Sequence, residues 1–256
     1  MSEEPKSLIK IPDSVDNAIK NTTDKPTKNI GNTIGDLWYI VFGGISYQAE
    51  KKKIKYNYLL DQYREELTKS ISNIPPEKRT EPSIQVTAQA LDNSKYCIEE
   101  DELREMFVSL ISNSMNSDYS ELIHPSYSEI IKQMSILDAK IIRLFKDNVA
   151  YPVCQYCLNL SEKAFHHTTM PDHIFLDFPD ADVISCSQSL SSLLRFGIIT
   201  ISYESKVNKP NAYDKFLQHP FYEEMKNILS VKITLKEGCV MLSPLGRSFV
   251  SVCIPD

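Results

Sequence analysis

The feature that most constrains this chain is a row of apolar side chains at Tyr56, Leu60, Tyr63, Leu67, Ile71 and Ile74, spaced by 4, 3, 4, 4 and 3 residues. Only an α-helix gathers such spacings onto one face, because 3.6 residues per turn stack positions i, i+3, i+4 and i+7. Glu65 and Lys69 at i,i+4 add support on the solvent side. Pro75 and Pro76 end the helix, since neither donates to the ladder and the first restricts the residue before it. The same pattern recurs through the first 150 residues. Glu81-Pro82 opens a segment with Ile84, Ala88 and Leu91 on one face. Glu99, Glu100, Asp101 and Glu102 crowd the start of a helix bearing Leu103, Met106, Phe107, Leu110 and Ile111, where the macrodipole favours negative charge. Ser126-x-x-Glu129 and Ser135-x-x-Asp138 read as capping boxes for two more helices.

The pattern changes after Tyr151-Pro152. Asp180 or Asp182 can cap a helix carrying Val183, Cys186, Leu190, Leu193 and Leu194, and Gly197 stands where a left-handed C-cap belongs. Ile198 to Tyr203 reads as a strand. A polar insertion at about 204–230 follows, with a helix from about Phe221 to Leu229. Val231 to Leu235 and Cys239 to Leu242 then read as a hairpin turning at Lys236-Glu237-Gly238. Ser243 caps and Pro244 starts a last helix. The resulting expectation is a mainly α fold with a small β component. It comprises a mobile polar arm over 1–28, a helical domain over 29–150 and a winged-helix-like domain over 151–256.

Composition narrows the function. The chain has 256 residues, 42% of them hydrophobic and 24% charged, which is ordinary for a globular protein. Seven Gly leave little material for phosphate-cradling loops. The opening Met1-Ser2-Glu3-Glu4-Pro5 lacks the basic and apolar regions of a secretory signal, and six Cys are too few for a disulfide scaffold. A cytoplasmic protein with reduced thiols is expected. The net charge of −6 resides in residues 1–131, which hold 15 Lys+Arg and 21 Asp+Glu, whereas residues 132–256 hold 13 of each.

That neutrality bears on nucleic acid, whose affinity for proteins comes largely from basic groups neutralising phosphates. The candidate reading helix over 182–196 brings one, Arg195, while Lys206, Lys209, Lys232, Lys236 and Arg247 are placed to contact a DNA backbone from the wing. Cys154-x2-Cys157 with His167-x5-His173 resembles a Cys2His2 zinc site with a shortened middle gap, His166 being an equally placed rival; the competing reading is that the thiols pack as small hydrophobes. Gly31-x3-Gly35, the nine-residue run from Leu37 to Ile45 around Trp38 and Phe42, and the cations Lys51, Lys52 and Lys53 behind it suit either a buried helix or a membrane-interface or partner anchor. The run is far short of the ~20 residues a spanning helix needs. His124, before a capped helix, reads as a hydrogen-bonded turn residue. No nucleophile elbow, HExxH or Walker loop occurs, so no catalytic residue, small-molecule substrate or cofactor other than zinc is expected.

Taken together, several segments resemble the bacterial Abi-alpha family of abortive-infection proteins. They are Glu81-Pro82, then Glu102 to Phe107 with Leu110 and Met115, His124 to Tyr127, Ser135 to Ala139, Leu193 to Ile199 and Leu242 to Phe249, a likeness running from about 30 to 253. The resemblance implies a bacterial or prophage protein of phage defence, in a family that transfers no catalytic positions. The expected role is a non-enzymatic interaction or effector module acting through a protein partner or self-association. A winged-helix DNA-binding regulator and a membrane-active effector using residues 31–55 are the alternatives.

Overall fold

The structure is a computed structural model, and it describes residues 25–43, 50–158, 167–168, 171–229 and 233–255. Helices α1 (Lys25–Phe42), α2 (Glu50–Ser72), α3 (Ile84–Ser94), α4 (Asp101–Asn113), α5 (Tyr127–Gln133) and α6 (Ile136–Leu144) come first. Strands β1 (Ala150–Leu158) and β2 (His167–Thr168), helix α7 (Val183–Arg195) and strand β3 (Ile199–Ser202) follow. Helices α8 (Asp214–Gln218) and α9 (Pro220–Leu229), strand β4 (Ile233–Leu242) and helix α10 (Pro244–Cys253) complete the order. The fold is mainly helical with one small antiparallel sheet, as the periodicities predict. The expected polar arm lies outside the described residues up to 24, and its last four residues are already helical.

Two compact units divide the chain at Lys132, the second running over 133–254. The change of pattern at 151 had placed the boundary later. Helix α6 packs on α7 of the second unit, and Asp138 lies between them. This carboxylate, 2% exposed, accepts from the Ser135 amide at 2.9 Å, from Ser192 Oγ at 3.0 Å and from Ser189 Oγ. It thus completes the expected capping box of α6 and also holds α6 against α7.

In the first unit α2 and α3 both pack on α4. Tyr63, Leu67, Leu91, Met106, Phe107, Leu110 and Ile111 make its core, and all five apolar positions expected on α4 are buried. Arg104, 5% exposed, is held by Glu66 through Nε and Nη2, both at 3.1 Å, by Asp101 at 2.7 Å and by the Ile98 carbonyl at 3.1 Å. A buried guanidinium needs such a full set of acceptors. On α3 the buried face is Val86, Thr87, Ala90 and Leu91, with Ile84 65% exposed, so the face expected from Ile84 and Ala88 is rotated. The box expected at Ser126 and Glu129 is differently used: Ser126 Oγ lies 2.7 Å from His124 Nδ1, and Glu129 accepts from Asn93 Nδ2 at 2.8 Å.

The second unit contains the sheet, ordered β2-β1-β4-β3. β4 pairs with β1 from Ile233↔Leu158 to Met241↔Ala150 without a break, and its other edge takes β3. The hairpin expected at Lys236-Glu237-Gly238 is therefore absent; β4 runs straight through all three residues. Gly238 serves close approach instead, because a Cβ there would sit 2.5 Å from Cδ1 of Tyr203. The caps are as the sequence predicts: Asp182 accepts from the Ile184 and Ser185 amides, Ser243 accepts from the Gly246 amide, and Gly197 takes φ 71° after α7. The insertion is less polar than its composition suggests. Tyr213 and Phe216 are buried with Cys154, Tyr156, Ile174 and Ile233, and Tyr156 Oη donates to the Phe216 carbonyl at 2.7 Å.

Candidate functional site

The zinc pattern falls on β1, and strand geometry disperses it. Side chains three residues apart in a strand point to opposite faces and lie about 10 Å apart along it. Cys154 joins the Tyr156 face, fully buried, and burial pushes its thiol well above the ordinary range. Cys157 points to the other side. His173 Nδ1 is taken by Tyr203 Oη at 2.8 Å, the two rings stacking at 6.1 Å. His167 pairs through its backbone with Leu158, and His166 lies outside the described residues. The side chain of His167 lies outside those described, and no cluster of three His, Cys, Asp or Glu able to hold a metal exists among the described residues.

The basic candidates lie around α7, β4 and α10. Arg195 is exposed, stacks its guanidinium 4.3 Å from the Phe196 ring centroid and reaches Gln133 at 3.5 Å. Lys236 lies 5.4 Å from the centre of the Tyr203 ring, and Arg247 donates to the Leu242 carbonyl at 3.3 Å. None of the three makes an ion pair with another described residue, whereas Lys206 is paired with Glu237 at 2.8 Å. Lys232 lies outside the described residues. Because β4 is a single strand, Lys236 lies within it and not at a turn.

Trp38 and Phe42 form an aromatic cluster with Tyr63, at centroid distances of 4.6 Å to each other and 5.4 and 6.3 Å to Tyr63. Phe42 is 1% exposed and Trp38 half-buried, so this pair packs against Tyr63, while Tyr39 and Ile40 on the same helix are exposed at 63% and 73%. The side chains of Lys51, Lys52 and Lys53 lie outside those described. Among the described residues no helix is long and apolar enough to cross a membrane. His124 is the turn residue expected: besides Ser126 Oγ, its Nδ1 accepts from the Ser126 amide at 3.2 Å.

A concave feature of the second unit is one the motifs did not mark. The segment before α7 passes along the start of α9 and leaves a half-open groove of about 530 Å³. Phe175, Phe178 and Phe221 line it, Ile184 stands at its mouth 53% exposed, and Asp182 and Glu224 are the carboxylates at its edge. Local rules build each wall. Asp182 caps α7, and hydrogen bonds from Ser185 hold its carboxyl below the usual aspartate range. Pro220 opens α9, whose Phe221 amide donates to His219 Nδ1 at 3.2 Å. Its sequence signal was the run Ile174-Phe175-Leu176-Asp177-Phe178-Pro179, too aromatic for a loop with nothing to cover. Such a lining can hold an apolar side chain; it has no nucleophile and base within reach of each other.

No curated protein matches the chain, and no solved structure does. A family does: the model described as abortive infection alpha matches residues 55–253, from the core stripe of α2 through the last turn of α10. That span takes in Arg104 and its acceptors, the Asp138 box, the groove and the close approach at Gly238, and on it the chain belongs to the abortive infection alpha family.

Proposed function

We propose that this abortive-infection protein works in phage defence by binding a macromolecular partner, with no bond made or broken by its own side chains. The observation that carries this reading is where the buried polar groups are spent. Asp138 is used by three serines, Arg104 by two carboxylates and a carbonyl, and His173 by a tyrosine. Polar groups buried for catalysis converge on a space a substrate can enter, whereas these hold one element against another. A groove in the second unit is lined mostly by apolar side chains.

Two assays test it. Cells expressing the chain are challenged with a phage panel, and plating efficiency and survival of infected cells are scored. Protection is expected to persist in His124→Ala and Ser126→Ala, the pair most like a reactive dyad. The purified protein is also incubated with nucleotides, nucleic acid and protein substrates; a hydrolysis abolished by one polar substitution overturns the reading.

A second reading, DNA binding, draws on the order α6, β1, β2, α7, β3, α8, α9, β4 with β4 between β1 and β3, an arrangement compatible with a winged helix, and on Arg195, Lys236 and Arg247, which make no ion pair with another described residue. Its test is a mobility shift at low salt. Binding that weakens with salt and in Arg195→Ala or Lys236→Ala favours it, and no shift removes it.

A further inference from the structure

The groove between the segment before α7 and the start of α9 combines an apolar floor with an edge of one sign. Phe175 is 1% exposed and forms its base, with Phe178 and Phe221 beside it, while Ile184 leaves an apolar side chain in water at the mouth. A volume of about 530 Å³ lies within the range of pockets that bury a ligand, and here it suits one bulky side chain with its neighbours. The charges complete the picture. The lining holds Asp182 and Glu224 and no Lys or Arg. Cations close by are already used, Lys215 on Asp177 at 2.6 Å and Lys226 on Glu223 at 3.4 Å. Asp180, Asp182 and Glu224 make no ion pair with another described residue, and Asp182 is kept ionised by its hydrogen bonds from Ser185.

We propose that this groove seats a short peptide segment of a partner protein, one bulky apolar side chain entering against Phe175, Phe178 and Phe221 while a flanking Lys or Arg faces Asp182 and Glu224. The proposal rests on the partner-binding reading above and names the site and the chemistry of what is bound. Phosphate-bearing partners are disfavoured, because they would bring negative charge to an edge that already has it. Affinity comes from the buried anchor, and the exposed carboxylates contribute selectivity and encounter rate more than binding strength.

The test pans a random-sequence peptide library against the full-length chain and titrates the enriched peptides, fluorescein-labelled, by fluorescence anisotropy. Enriched sequences should share an aromatic or Leu anchor with Lys or Arg nearby. Ile184→Glu is expected to weaken them by more than about ten-fold and Glu224→Lys by about five-fold, in line with a contact at the mouth and an exposed ion pair. Both residues are exposed, and unchanged melting of each variant verifies the fold. A peptide with its basic residue changed to Glu should lose affinity for the native chain and regain it on Glu224→Lys, a rescue that a merely structural role of Glu224 cannot produce. No enrichment, enriched peptides without basic residues, or affinities indifferent to both substitutions overturn the proposal. Phage protection is scored separately on the same variants. A chain that protects undiminished with Ile184→Glu and Glu224→Lys overturns the groove and leaves the role in defence standing; a chain that never protects overturns the role while the peptide titrations still judge the groove.

Discussion

At the scale of single residues, this protein spends its buried charges on joining elements. Asp138 collects donors from its own helix cap and from two serines one turn apart on α7, so removing it leaves several donors without an acceptor in a dry place. Asp138→Ala is expected to destabilise the second unit by about 3 kcal/mol, read as a lowered urea midpoint with unchanged slope, and Ser192→Ala by about 1 kcal/mol. His173 supplies a pH dependence. Burial lowers its pKa below the ordinary 6.5, with Asp172 opposing. The folded state therefore favours neutral imidazole, and as pH falls below about 6.5 the unfolded chain takes up a proton that the folded one resists. Stability from this group is present at higher pH and is lost on acidification. Melting temperatures followed from about pH 8 to about pH 5 should fall more steeply for the native chain than for His173→Gln.

Elements are fixed by a few glycines and caps, and each glycine does a different job. Gly197 holds φ 71° with nothing within 4 Å of a built Cβ, so Gly197→Ala meets only conformational strain and is expected to cost about 1 kcal/mol. Gly246 lies in the first turn of α10 against the chain entering β3, where a Cβ would come within 1.9 Å of the Ile198 carbonyl oxygen. Backbone cannot yield as a side chain can, so Gly246→Ala should cost more, about 3 kcal/mol, by thermal or urea unfolding. Reversal of this order would show that α10 and β3 can separate cheaply. Gly238 explains the missing hairpin. A short apolar run, Gly and a second run is also what a long strand looks like when one position must admit a ring from its neighbour. Local pattern cannot separate these cases, because the Tyr203 ring that decides between them comes from the residue just after β3.

For the whole molecule, six cysteines are free and all are buried. Burial raises Cys97 and Cys186 to about 11, Cys154 further still, and Cys253 well above the ordinary thiol range. Buried thiols are out of a reagent's reach, so the native protein should react very slowly with a disulfide reagent near neutral pH and release all six thiols on denaturation. A rapidly reacting thiol in the native state would contradict this packing. What the sequence determined by itself is whatever depends on near neighbours along the chain: the helical stripe of α2, the core face of α4, the caps at Ser135, Asp182 and Ser243, and the left-handed Gly197. These rest on backbone hydrogen bonds and side-chain spacings within a turn or two. Tertiary structure decided the rest. It extended β4 through Gly238, set β1 so that Cys154 and Cys157 face apart, packed α6 on α7 with Asp138 between them and brought Phe175 and Phe221 to one groove. Each of these depends on residues tens of positions apart meeting in space, and no local period records which distant partner a side chain will find.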